Sequence, residues 1–208
     1  MKGENKYEKI RGSIQENFSR RGNLTELIRE SAKTAVTKPC VFLSHISSDK
    51  KAVLEIGEYF SEAGVDYYLD IDDPVLQQAV SDKNHELITE CIEVGINKST
   101  HLLSIISEKT QDSWWVPYEI GYAKKGNREI AVLELKHAYA PSYLKIVPNL
   151  SGIDDLNDYI RKVIETQTKQ VNFSGNSRYM TVLEGVLRAN ALKGSYDQTN
   201  PLTPYLRA

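Results

Sequence analysis

Between Pro39 and Leu150 short apolar runs alternate with segments whose apolar residues recur every three or four positions. The run Cys40-Val41-Phe42-Leu43-Ser44 has the length and continuity of a buried strand. Val53, Ile56, Phe60 and Ala63 then follow at helical spacing, and Gly64 supplies the stop. Val65 to Asp70 predicts a second strand and Val75 to Asn84 a polar loop, after which Leu87, Ile88, Cys91, Ile92 and Gly95 mark a second helix face. His101 to Ser107 predicts the third strand. The Trp-rich helix after it starts near Ser113 or Trp114, because Pro117 is tolerated only in a first turn, and Gly126-Asn127 punctuates its end. Glu129 to Leu135 is a fourth strand and Leu144 to Val147 a short fifth. Strands alternating with single helices predict a parallel five-stranded sheet covered on both faces. That is a flavodoxin-like three-layer α/β fold, whose ligands sit at the carboxyl ends of the strands.

Two appendages flank this block of residues 39–150. Residues 1–38 place Ile10, Ile14 and Phe18, then Leu24, Leu27 and Ile28, at helical spacing, a helical N-terminal extension. Residues 151–208 carry one helix on Leu156, Ile160, Val163 and Ile164 and another on Tyr179, Val182, Leu183, Val186 and Leu187. The tail from Tyr196 to Ala208, with Pro201 and Pro204, is expected to be extended or mobile. Neither appendage has enough apolar residues to fold alone, so both are expected to pack on the sheet domain.

Composition narrows the function classes. With 208 residues, 40% hydrophobic, 26% charged and a net charge of −2, the chain supports one sizeable core and carries no basic stripe for nucleic acid. Its apolar runs are strand-sized, far short of the roughly 20 residues that span a bilayer. The N-terminus lacks the apolar stretch of a secretory signal, which points to a cytoplasmic protein away from membranes. Cys40 and Cys91 both fall in apolar surroundings and read as buried thiols of a reducing compartment, a single disulfide being the alternative. The four histidines are scattered without ligand-like spacing, so no metal site is expected.

Candidate chemistry gathers at the predicted strand ends. Ser44 and His45 come before Ser47 and Ser48, either of which can cap the next helix, and Asp49, which suits its positive end, and they lie where a ligand would sit. The connection contains neither Gly-x-Gly-x-x-Gly nor Gly-Lys-Ser/Thr, which excludes the Rossmann and P-loop phosphate cradles. Asp70, Asp72 and Asp73 put three carboxylates in four residues; a solvated turn opened by Asp73-Pro74 is favoured over a hard-cation site. Trp115 and Glu119 are four apart and share a helix face near the mouth. A carboxylate beside an aromatic wall can bind a ribose and the flat base attached to it. Of the two adjacent tryptophans, one is expected to pack inward and the other to line a pocket.

The chain resembles a bacterial TIR (Toll/interleukin-1 receptor) domain. The matching pieces are Val41-Phe-Leu-Ser-His45, Tyr67-Tyr-Leu-Asp70 with its loop, Glu90-Cys-Ile-Glu93 through Ser99 to Ser107, and Trp115-Val-Pro-Tyr-Glu119, in family order over roughly residues 39–150. The resemblance implies cleavage of NAD+ at the nicotinamide–ribose bond, with Glu119 as the catalytic glutamate. It implies Ser44, His45, Asp72 and Trp115 as substrate-binding residues. NAD+ is then a substrate, and no cofactor is required. It also implies self-association through TIR–TIR contacts made by the loop from Asp70 to Asn84, although this loop lacks the glycine of the family pattern. The implied role is bacterial antiviral defence, by NAD+ depletion or by an ADP-ribose-derived signal read by an effector protein. Two other readings stand beside it. One is a non-catalytic TIR interaction module, which would have no use for the Trp115–Glu119 pair. The other is a nucleoside deoxyribosyltransferase-like enzyme, which shares the layered fold and a glutamate.

Overall fold

The computed structural model describes residues 39–70, 74–171 and 200–207. The helices expected over 1–38 and on residues 179–187, and Asp72 with its neighbours 71 and 73, lie outside the described residues. Strand β1 (Cys40–Ser44) is buried along its whole length, as an apolar run flanked by two strands must be. Helix α1 (Lys50–Glu62) buries Val53, Ile56, Tyr59 and Phe60. It ends at Gly64, whose φ of 83° lets Gly64 N–H reach Ser61 O at 3.0 Å and Val65 N–H reach Phe60 O at 3.0 Å. β2 (Asp66–Tyr68) follows. Next come α2 (Pro74–Ser81) and α3 (His85–Asn97), the second opened by the Asn84 side chain accepting from Leu87 N–H at 3.1 Å. β3 (His101–Ile106), α4 (Trp115–Lys125), β4 (Glu129–Glu134), β5 (Asn149–Leu150) and α5 (Ile153–Val171) complete the series.

All five strands are parallel, in the order β2-β1-β3-β4-β5, as the alternation of strands and helices predicts. Each sheet face carries its own core. One gathers Val41, Leu43, Leu103, Ile105, Ala131 and Leu133 under α1 and α5. The other gathers Phe42, Leu102, Ile106 and Val132 under α2, α3 and α4. The Tyr59 hydroxyl donates to Asn157 Oδ1 at 2.8 Å and ties α1 to α5. On the opposite face Tyr68 stacks on Phe42 at 5.5 Å, and a Cβ on Gly95 would lie 2.4 Å from the Tyr68 ring, so α3 approaches the sheet only because that position is glycine. Cys40 and Cys91 are both buried, and no disulfide joins them. No described helix is long and apolar enough to cross a membrane.

Four expectations need correction. The polar loop expected over 75–84 is largely α2: Leu76 and Ala79 are buried one turn apart while Gln77 and Gln78 face water. Pro74 suits a first helical position, and Lys83, at φ 52°, ends the helix in the manner of Gly64. Residues 144–147 are not the fifth strand but belong mostly to a 3-10 turn (Ser142–Ile146) that buries Leu144 and leaves Tyr143 and Ile146 outside. The fifth strand is the two-residue β5 instead, entered from Pro148, whose carbonyl accepts from Val132 N–H at 2.9 Å. The tail over 200–207 is neither extended nor loose. It is a chain of turns that buries Leu202 and Leu206 in the α1/α5 core, with Lys136 N–H bonded to Tyr205 O at 2.8 Å. Lastly, neither tryptophan packs inward: Trp114 is 91% exposed and Trp115 37%, and Val116 takes the inward place. Pro117 sits in the first turn of α4, which Ser113 opens by accepting from Val116 N–H at 3.2 Å.

Candidate functional site

Side chains alternate across a strand, and Cys40 and Phe42 belong to the core beneath α4. Ser44, the last residue of β1, therefore points to the same face at the sheet's carboxyl edge. On α4, Val116, Ile120 and Ala123 enter that core, and Glu119 is buried with them, only 3% exposed. The buried Ser44 hydroxyl lies near enough to the Glu119 carboxylate to favour its charged form. Contact between them is incomplete, because neither Ser44 Oγ nor Glu119 Oε2 has a hydrogen-bond partner of sound geometry. Asp70, just past β2, acts on Glu119 in the other direction. Burial in a low-dielectric core is the largest influence, repulsion from Asp70 the next, and Ser44 opposes both; together they push the Glu119 carboxyl up to about 8.

Trp115 heads an aromatic row along α4. Its ring meets Tyr118 edge-on at 5.9 Å, and Tyr118 stacks on Tyr122 at 6.2 Å. The row is anchored to α3: the Tyr118 hydroxyl donates to Glu93 Oε1 at 2.6 Å, and Asn97 Nδ2 donates to the Tyr122 hydroxyl at 3.0 Å. Burial, together with the Glu93 carboxylate that accepts its proton, drives the Tyr118 phenol well above its usual range. A half-exposed indole held by a fixed neighbour can serve as a stacking wall without being part of the core.

His45 is half-buried and turns back on its own strand, Nδ1 lying 3.0 Å from Leu43 O. A carbonyl only accepts, so Nδ1 carries the hydrogen. A cleft of about 590 Å³ opens beside the first turn of α4, between the β3–α4 and β4–β5 connections, with Ser107, Thr110, Ser113, Pro117, Tyr139 and Tyr143 among its lining. Neither Glu119 nor Ser44 lines it.

Residues 41–162, more than half of the chain, match the family described as TIR domain. The chain belongs to the TIR domain family. It is also similar to the protein named Probable 3' cyclic ADP-D-ribose synthase ThsB' of Bacillus cereus (strain MSX-D12), at 28% identity over 144 residues, which cover 67% of this chain and 72% of that one. The matched span of the TIR domain holds β2 to β5, all of β1 but Cys40, and with them Ser44, Asp70, Trp115 and Glu119.

Of the residues singled out in the sequence, this TIR domain thus brings Ser44 and Glu119 together and sets Trp115 one turn before Glu119. It engages His45 with its own backbone, and Asp72 is outside the described residues. Sequence reasoning missed that Asp70 acts on Glu119. It also missed Ser104, whose buried hydroxyl is without a partner on the strand beside Ser44. The signal for Ser104 was in plain view, a lone polar residue inside the apolar run from His101 to Ile106.

Proposed function

We propose that this TIR domain cleaves NAD+ at the nicotinamide–ribose bond, with Glu119 as its catalytic residue. The observation that supports this most is a carboxylate buried at the carboxyl edge of the sheet, against the last hydroxyl of β1 and one turn from a half-exposed tryptophan. The named cyclic ADP-D-ribose synthase similar to this chain supports the same chemistry. Most glycosidases need a second carboxyl to protonate a leaving oxygen. Nicotinamide needs none. The bond from ribose carbon to ring nitrogen breaks, its electron pair neutralises the pyridinium, and a neutral base departs. What remains is an oxocarbenium-like ribosyl centre, which a fixed anion stabilises electrostatically.

Burial holds the Glu119 carboxyl up at about 8, so near neutral pH much of it is uncharged. A cationic nicotinamide ring entering beside it reverses that balance and favours the anion, which ties ionisation to substrate binding. Water capturing the ribosyl centre gives ADP-ribose. A ribose hydroxyl of the same molecule gives a cyclic ADP-ribose and releases its proton. The similarity to a probable 3' cyclic ADP-D-ribose synthase favours the cyclic outcome. The role that goes with this reading is a signal for an effector protein in antiviral defence. In the single chain the carboxylate is closed off from solvent, so substrate access requires the site to open, and self-association is the step proposed to open and complete it.

The test is incubation of the full chain with NAD+ over a range of protein concentrations, with release of nicotinamide followed by chromatography and the second product weighed by mass spectrometry. Nicotinamide with an ADP-ribose-mass or cyclic ADP-ribose-mass partner, lost in Glu119→Gln, is expected. Folded protein that releases none at any concentration would refute the enzyme reading and leave the non-catalytic module.

A further inference from the structure

We propose that Ser104 is a positioning residue for Glu119, its hydroxyl and that of Ser44 forming a pair on the sheet that grips the ionised carboxylate from below. This rests on the reading of Glu119 as catalytic. Ser104 is the Cα partner of Ser44 in the β1–β3 ladder, on strands about 4.8 Å apart. The two point to the same face. On β3, Leu103 and Ile105 belong to the α1/α5 core, whereas Leu102 and Ile106, the residues in phase with Ser104, belong to the core beneath α4. Ser104 is fully buried. Ser44 Oγ, Ser104 Oγ and Glu119 Oε2 are all buried and without a hydrogen-bond partner.

Among the described residues nine buried side-chain atoms lack a partner, and these three fall on α4 or on the sheet face it covers, a clustering that calls for a shared explanation. Their chemistry is complementary. An ionised carboxylate only accepts, and each serine supplies one rotatable O–H donor. Among the described residues, Asp70 repels the anion from just past β2, and the Glu93 carboxylate of α3 is engaged by Tyr118. Beyond Ser104 the ladder continues with apolar Val132 of β4. The two hydroxyls are therefore what the sheet offers to the charged state. A merely structural role is disfavoured, since an apolar residue at 104 would continue the pattern of β3 and leave nothing unpaired.

The experiment compares Ser104→Ala and Ser104→Thr with the full wild-type chain. The ionisation midpoint of Glu119 is read by carbon NMR of carboxyl-labelled glutamate, its resonance assigned by its disappearance in Glu119→Gln. Removing one hydrogen bond to a charged carboxylate should raise that midpoint by about one to two pH units. The pH profile of nicotinamide release should move the same way. Thermal stability should hold or rise, because the lost hydroxyl was unpaired, and the threonine variant, which keeps the hydroxyl, should restore the midpoint. An alanine variant with unchanged midpoint and pH profile, whatever its stability, would overturn the proposal. If the wild type releases no nicotinamide, the catalytic reading fails, while the NMR midpoint still decides the role of Ser104 toward the carboxylate.

Discussion

Replacing Glu119 by Gln should make the protein more stable while removing its activity, and the pH dependence of the gain can be worked out in advance. The Glu119 carboxyl is raised from 4.5 to about 8 by burial, with Asp70 adding to it. Between those values the folded chain holds a proton that the unfolded chain has released. Stability tied to this group is therefore intact below about pH 4.5 and declines as pH rises toward 8. Each pH unit in that window costs about 1.4 kcal/mol, so at pH 7 the deficit is about 3 kcal/mol. Glu119 is only 3% exposed, which leaves little solvent screening to reduce the figure. An amide of the same size has no charge to desolvate, and the Ser44 and Ser104 hydroxyls can accept from it. Urea unfolding of both proteins at pH 5, 6.5 and 8 should show the advantage of the Gln variant growing by roughly 1.4 kcal/mol per unit. Nicotinamide release should fall about 10²–10³-fold, the usual loss for one transition-state electrostatic contact. Parallel stability curves for the two proteins would show that Glu119 ionises in the ordinary range, and the account of its burial would be wrong.

Three other outcomes follow from the same geometry. For the wild-type chain, kcat/KM for NAD+ should climb about tenfold per pH unit up to about pH 8 and then level, since this parameter reports the free enzyme; a flat profile from pH 6 to 9 would contradict it. Trp115→Ala should weaken NAD+ cleavage more than it lowers the melting temperature, because a ring 37% exposed with one edge-on neighbour contributes about 1 kcal/mol, not the roughly 3–5 of a core tryptophan. A large stability loss with normal activity in the folded fraction would assign it to the core. Leu202→Ala should cost about 2–5 kcal/mol in chemical denaturation because Leu202 is fully buried between the tail and the α1/α5 core, whereas a loose tail would show no change.

Local pattern carried much of the architecture. Continuous apolar runs such as Cys40 to Ser44 have one stable placement, a strand between two others, and the helical spacing of Val53, Ile56 and Phe60 permits one buried face. The order of those elements implied a parallel sheet, and Glu119 on the helix after β3 was legible from its distance to Trp115 and Pro117. Where an element owes its burial to distant partners, local pattern misled. Leu76 and Ala79 sit among glutamines and read as loop until their contact with the second core makes them a helix face. Leu202 and Leu206 looked like the end of a mobile tail, yet a core built from residues far earlier in the chain was waiting for them.

The site divides in the same way. Residue types and spacing singled out Ser44 and Glu119 as candidates, because the ends of parallel strands and the helix that follows them are where such a fold holds its ligands. Only the tertiary structure decided that Glu119 is buried, that Asp70 acts on it, and that Ser104 stands beside Ser44. Ionisation depends on dielectric and on charges brought close by folding, and register is set by pairing between strands 60 residues apart, as in the Phe42–Leu102 pair. Neither quantity is a property of any one segment, so neither could be read from the chain before it folded.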